Sequence, residues 1–305
     1  MAHDHAHGHS HAHGHGPGTH DRAFAIGVGL NLAFVLVEAT AGFWAGSLAL
    51  IADAGHNLTD VGALALAWGA AVLGRRPPTA RRTYGYRRAS VLASLVNAVA
   101  LLIGVGAILL EAIRRLQDPA PVEAGVVGVV AAIGIAINAG TAMLFARGRE
   151  HDLNVRGAYL HMAADAAVSL GVVLAAVLIA TTGWLWLDPV TSIAICLAIT
   201  VSGWGLLTES LDLALDAVPA GIDRSAVETM LGDLPGVREV HDLHIWAMST
   251  TETALTAHLV RPDPTEDDFL TDACAALHDR FGIEHVTLQI ERGTAHCRQA
   301  PAEVV

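Results

Sequence analysis

Two short patterns in this chain could do chemistry: His56 with Asp60, and His161 with Asp165. Each is a His-x-x-x-Asp set in the middle of a long apolar segment. A spacing of four places both side chains on one face of an α-helix, one turn apart. Two such helices packed together would bring two imidazoles and two carboxylates to one point, a donor set that suits tetrahedral Zn²⁺. In the first segment Asp53, His56, Asn57 and Asp60 share one helical face among Leu, Ala, Val, Ile and Gly. In the second, Ser169 extends the face of His161 and Asp165. An Asp at the centre of a membrane helix costs on the order of 2.5–3.5 kcal/mol. Interhelical hydrogen bonding would explain one such group, but two pairs of identical spacing call for a shared purpose.

The elements that must position these residues are membrane helices. The chain is 53% hydrophobic and only 16% charged, with a mean hydropathy of +0.46, against about 25% charged residues in soluble domains. Apolar stretches of the roughly 20 residues that span a bilayer run near 23–44, 48–73, 89–113, 124–146, 157–181 and 187–207. The first is too long for a cleaved signal peptide and no small-residue processing site follows a basic start, so it is read as a retained helix. Arg75, Arg76, Arg81, Arg82, Arg87 and Arg88 lie between the second and third spans, and Arg147, Arg149 and Arg156 between the fourth and fifth. Only Arg114 and Arg115 lie on the other side. The positive-inside rule then puts both termini in the cytoplasm. The second and fifth spans run in opposite directions, and their His-Asp pairs fall at roughly matching depth. Asn31 and Glu38, Asn97, and Asn138 with Thr141 read as interhelical hydrogen-bonding groups or the lining of a hydrated vestibule.

Residues 1–21 form a His-rich, low-complexity tail in which His alternates with Ala, Gly, Asp and Ser. That alternation is unlike the unbroken run of an expression tag and reads as a disordered, loosely metal-capturing segment. Residues 22–207 make the six-helix membrane domain. The composition changes near 208, and residues 208–293 alternate as helix, strand, strand, helix, strand, the order of a ferredoxin-like α+β domain; residues 294–305 are a tail. So small a core favours association with a second copy. His241, His244, His258, His278, His285 and Glu291 are spread over this domain, with His296 and Cys297 in the tail. Alternation along a strand sends His241 and His244 to opposite faces. Cys196, Cys274 and Cys297 are too scattered for a disulfide framework. The net charge of −12 comes largely from the polar C-terminal part and says nothing about nucleic acid, and no basic stripe with interleaved aromatics argues for such a partner.

The runs SLALIADAGHNLTD, TYGYRRASVLASLVNA, DLNVRGAYLHMAADAAVSLGVV, WLDPVTSIAI, VHDLHIWAMSTTETALTAH and HVTLQIER resemble the cation diffusion facilitator family, in particular its bacterial zinc exporters, from about residue 22 to 293. The resemblance implies a homodimer of six-helix protomers in the bacterial inner membrane, each with a cytoplasmic metallochaperone-like domain, exporting Zn²⁺ against inward proton movement. It implies that His56, Asp60, His161 and Asp165 are the transport ligands. It also implies that His241, His258 and Glu291 match positions of a regulatory zinc site in the soluble domain. Zn²⁺ is then substrate and regulatory ligand, and no cofactor is expected. Two features depart from the family pattern: Ser90 stands where many relatives have Glu, and Gln289 where some have a ligating His. The loop RRPPTARRTYGYRRAS has no His or Asp for an accessory site.

No His-Glu-x-x-His occurs, which excludes an intramembrane metalloprotease of that type. Only His56 and His161 lie within spans, too few for a membrane hydroxylase. The chain is read as a secondary transporter and not an enzyme. The same ligands would also serve a membrane-bound metal sensor or buffer, or an importer, and the donor set admits Co²⁺ and Cd²⁺ beside Zn²⁺.

Overall fold

The computed structural model describes residues 20–145, 153–262 and 267–292. The tail at 1–19, the segment 293–305 with His296 and Cys297, and the side chain of Asn31 lie outside the described residues. Six long helices come first: α1 (His20–Ala45), α2 (Leu48–Gly74), α3 (Ala89–Gln117), α4 (Ala124–Phe145), α5 (Leu153–Thr182) and α6 (Leu187–Ala214). They are followed by α7 (Arg224–Gly232), β1 (Glu239–Ala247), β2 (Thr253–Val260), α8 (Asp267–Phe281) and β3 (Ile283–Glu291). Among the described residues, α2 to α6 each hold a segment long and apolar enough to cross a bilayer, and α1 holds the shorter apolar run Leu32–Ala45.

The six helices are apolar outside as well as inside. Phe43, Trp44, Val201 and Trp204 are all exposed, as expected of surfaces that face lipid. Trp184 and Trp186 stack between α5 and α6, and Trp44 is exposed near the end of α1, all at the end of the bundle far from the small domain, the usual place of an interfacial aromatic belt. Inside, Phe34, Leu50, Leu101, Val130, Val172 and Ile199 belong to one core. α4 lies along α5 and α3 along α6, with α2 touching both pairs. The α3/α6 approach is close because Gly203 carries no side chain: a Cβ there would stand 2.9 Å from Leu101 Cδ2.

Helix ends are fixed by specific caps. The turn from α1 to α2 passes through Gly46 at φ +68°, and Ser47 then caps α2 by accepting from Leu50 N–H at 3.2 Å. Asp188, buried at the start of α6, accepts from the Ser47 hydroxyl and from Leu48 N–H at 2.8 Å. This binds the far ends of α2 and α6 together. α5 begins at Leu153, a turn before the apolar run near 157, so His161 lies eight residues into α5 as His56 lies eight into α2. α6 likewise continues past residue 207 to Ala214. The change in composition marks where the apolar surface ends, whereas the helical ladder persists until Asp216 turns left-handed at φ 61°.

The small domain has the expected α-β-β-α-β order. Its sheet order is β1-β2-β3, with β1 antiparallel and β3 parallel to the central β2. The parallel pair needs a crossover, and α8 supplies it. Val227, Leu231, Leu243, Ile245, Leu255, Leu259 and Leu277 fill the core between helices and sheet. Asp223 caps α7. The Ser225 hydroxyl, with the Ser225 and Ala226 N–H groups, holds its carboxyl below the ordinary Asp range.

Candidate metal-binding sites

α2 and α5 pack antiparallel, so each His meets the Asp of the other helix. His56 Nε2 lies 3.3 Å from Asp165 Oδ1, and His161 Nε2 lies 3.3 Å from Asp60 Oδ2. The separations within each helix are slightly longer, 3.8 Å for His56 to Asp60 and 3.7 Å for His161 to Asp165. All four ligand atoms lie within 4.8 Å of one another. A tetrahedron with metal–ligand bonds of about 2.0–2.1 Å has edges of about 3.3 Å. The two cross-helix separations equal that edge, and the set of one donor atom per residue, within 4.8 Å throughout, is of the size to close around one tetrahedral Zn²⁺.

Exposure is graded across the cluster. Asp60 and His161 are 37% and 42% exposed, His56 19% and Asp165 4%. The open side is the one nearer the small domain, because α2 runs toward that domain and Asp60 follows His56, while α5 runs away from it and His161 precedes Asp165. On the far side the next turn is closed. There Ser169 donates to Asp53 Oδ2 at 2.9 Å and Asn57 donates to Glu38 Oε2 at 3.1 Å, with Glu38 and Asp53 fully buried. Asp53 and Asn57 share the polar stripe of α2 with the ligands, but they turn toward Ser169 and Glu38. Asn138 is buried on α4, and Asn97 on α3.

A second cluster sits on the sheet of the small domain. His241 and His258 face each other across β1 and β2, their rings 5.1 Å apart. Glu291, at the end of β3, reaches both: its Oε2 lies 3.2 Å from His241 Nε2 and its Oε1 3.1 Å from His258 Nδ1. Gln289 donates to Glu291 Oε1 at 3.2 Å, so the residue at the departing position steadies the carboxylate that meets both histidines. Strand alternation does not anticipate Asp242. A bulge between His241 and His244 puts Asp242 at φ 50°, and its carboxylate lies 3.5 Å from His258 Nε2 and 2.9 Å from His244 Nε2. His285 stays apart, its ring against Tyr84.

The α2–α3 connection joins the two parts of the molecule. Arg88 pairs with Asp216, Arg87 pairs with Glu252, and Thr250 N–H donates to Ser90 Oγ at 3.0 Å.

Comparison with known proteins gives the same division of the chain. Residues 24–213 match the cation efflux transmembrane domain, and residues 219–293 match the cation efflux protein cytoplasmic domain. The metal cation efflux system protein CzcD of Cupriavidus metallidurans is 40% identical over 88% of this chain and 85% of its own. The zinc transporter ZitB of Escherichia coli is 41% identical over 86% and 85%. A solved structure, the metal-bound C-terminal domain of the C. metallidurans CzcD transporter, is 38% identical and covers 23% of this chain and 99% of that one, with a TM-score of 0.22.

Proposed function

This chain belongs to the cation efflux, or cation diffusion facilitator, family, and we propose that it expels Zn²⁺ from the bacterial cytoplasm in exchange for protons. It is a membrane transporter of divalent metal cations and not an enzyme. The observation that carries the finer reading is the intramembrane cluster: two imidazoles and two carboxylates within 4.8 Å of one another, more exposed on one side than on the other.

The exchange follows from the donors. Imidazole binds metal only when neutral, and an ordinary His titrates at about 6.5, so Zn²⁺ and protons compete for the same nitrogens near neutral pH. The arginine-rich side faces the cytoplasm by the positive-inside rule, and Zn²⁺ enters past His161 and Asp60 to reach His56 and Asp165. Opening the far side requires the Ser169–Asp53 contact to part while the near side closes, which is alternating access about a site within the bundle. Co²⁺ and Cd²⁺ fit the same donors less selectively. The cluster of His241, His258 and Glu291 holds a regulatory Zn²⁺, and the protein works as a homodimer with both termini in the cytoplasm.

The test is flux into reconstituted vesicles loaded with a zinc-sensitive dye, with and without an imposed pH gradient. Wild type should load zinc faster when the lumen is acid, and His56→Ala and Asp165→Ala should not transport. Undiminished flux in both variants would remove the four-ligand site. Flux indifferent to the gradient would remove proton exchange and leave transport standing.

A further inference from the structure

One polar cluster in the bundle lies apart from the four ligands. Glu38 on α1 and Asp53 on α2 are fully buried, and Asn57, which binds Glu38, lies one turn from Asp53 on the same face of α2. One oxygen of each is held by a neutral donor, Asn57 for Glu38 and Ser169 for Asp53. The other oxygen of each, Glu38 Oε1 and Asp53 Oδ1, is buried with no donor among the described residues. The titratable groups that face the pair are His56 on α2 and Asp165 on α5. α4 contributes Gly134 there, packed against Phe34 and Ser169. Among the described residues no cationic Arg reaches these oxygens.

Two adjacent carboxylates, both ionised and cut off from water, would repel each other and leave two acceptors unsolvated. One proton between them relieves both costs, since it halves the charge and gives each orphan oxygen a partner. The shared proton of a carboxylate dyad is a known solution to the same problem. We propose that Glu38 and Asp53 form a proton-binding carboxyl pair, distinct from the metal ligands and one helical turn beyond them toward the far end of the bundle. This rests on the exchange reading above and gives it a second carrier: the pair takes up one proton from the far side, and the imidazoles exchange theirs directly with the metal. Loading forms a single O–H bond and release breaks it, with no other bond altered.

The pair predicts a carboxylic-acid C=O band in the infrared spectrum of the full-length protein in lipid at neutral pH. Because the proton is shared, Glu38→Gln and Asp53→Asn should each abolish the band. In vesicles carrying both a zinc dye and a pH dye, each variant should move one proton fewer per zinc ion than wild type. Zinc should still bind in equilibrium titration of both variants. A wild-type protein without the band, or a band that survives in both variants, overturns the proposal whether or not the variants transport. An unchanged proton-to-zinc ratio also overturns it, and loss of zinc binding in both variants would do the same by assigning the carboxylates to the metal site. If wild type itself carries no protons with zinc, the exchange reading fails, while the infrared band still decides the pair.

Discussion

Asp165→Asn should weaken Zn²⁺ binding at the intramembrane cluster far more than Asp60→Asn, although the two residues occupy equivalent places in the two motifs. Asp165 is 4% exposed and Asp60 37%, so their charges act through different surroundings. The same attraction between Zn²⁺ and a carboxylate is about fourfold stronger at an effective dielectric constant near 20 than in bulk water. At about 1.4 kcal/mol per tenfold change, loss of the buried charge should cost at least about tenfold more in affinity than loss of the wetter one. Asn keeps the shape and an oxygen donor, which isolates the charge. The assay is competition against a fluorescent zinc chelator with the full-length protein in nanodiscs. It is run in a His241→Ala, His258→Ala background so that the sheet cluster does not contribute. Equal costs, or a larger cost for Asp60, would refute the link between burial and binding; no cost for either would refute the cluster as a zinc site.

Three further outcomes are expected. Asp188→Ala leaves the buried N–H groups of Leu48 and Ala49 without their acceptor, at about 1–3 kcal/mol for each buried group left unsatisfied, and should lower the thermal midpoint measured by size-exclusion fluorescence; an unchanged midpoint would show that the α2–α6 tie is not structural. Glu291→Ala should remove one zinc ion per chain in equilibrium dialysis while vesicle transport persists, and full stoichiometry would dismiss the sheet cluster. Asp223→Ala should destabilise the small domain at neutral pH. Because the native carboxyl sits below its ordinary value of 3.8, its contribution is complete above that pH and is lost as the pH falls below it. Wild type and variant should therefore converge in acid, and a difference that persists there would point to packing instead of the cap.

The intramembrane His-Asp cluster is legible in the sequence because a spacing of four means one thing on a helix, and apolar flanks say that the helix is buried. Glu38 is not legible in the same way. It lies on a different helix from Asp53, and only packing shows that it is held by Asn57, one turn from Asp53. Asp242 escapes for another reason: strand parity holds only while the ladder is regular, and the bulge after His241 re-aims the next side chain toward His258. The end of α6 is misjudged by composition because a helix needs no apolar face once it leaves the bilayer, and it stops where the backbone changes hand at Asp216. Contacts such as Ser90 with Thr250 leave no periodic trace and follow from the docking of one unit on the other.

The crossed pairing of the two motifs bears on direction. Exchanging α2 for α5 leaves the four distances almost unchanged, 3.3 for 3.3 Å and 3.8 for 3.7 Å. The donor set thus has an approximate two-fold axis, and the asymmetry lies in exposure alone. A cation held there is offered the same shell whichever side is open, so the site itself supplies no ratchet. Reversing the gradients across the membrane should run the carrier backward, with no ligand exchanged for another.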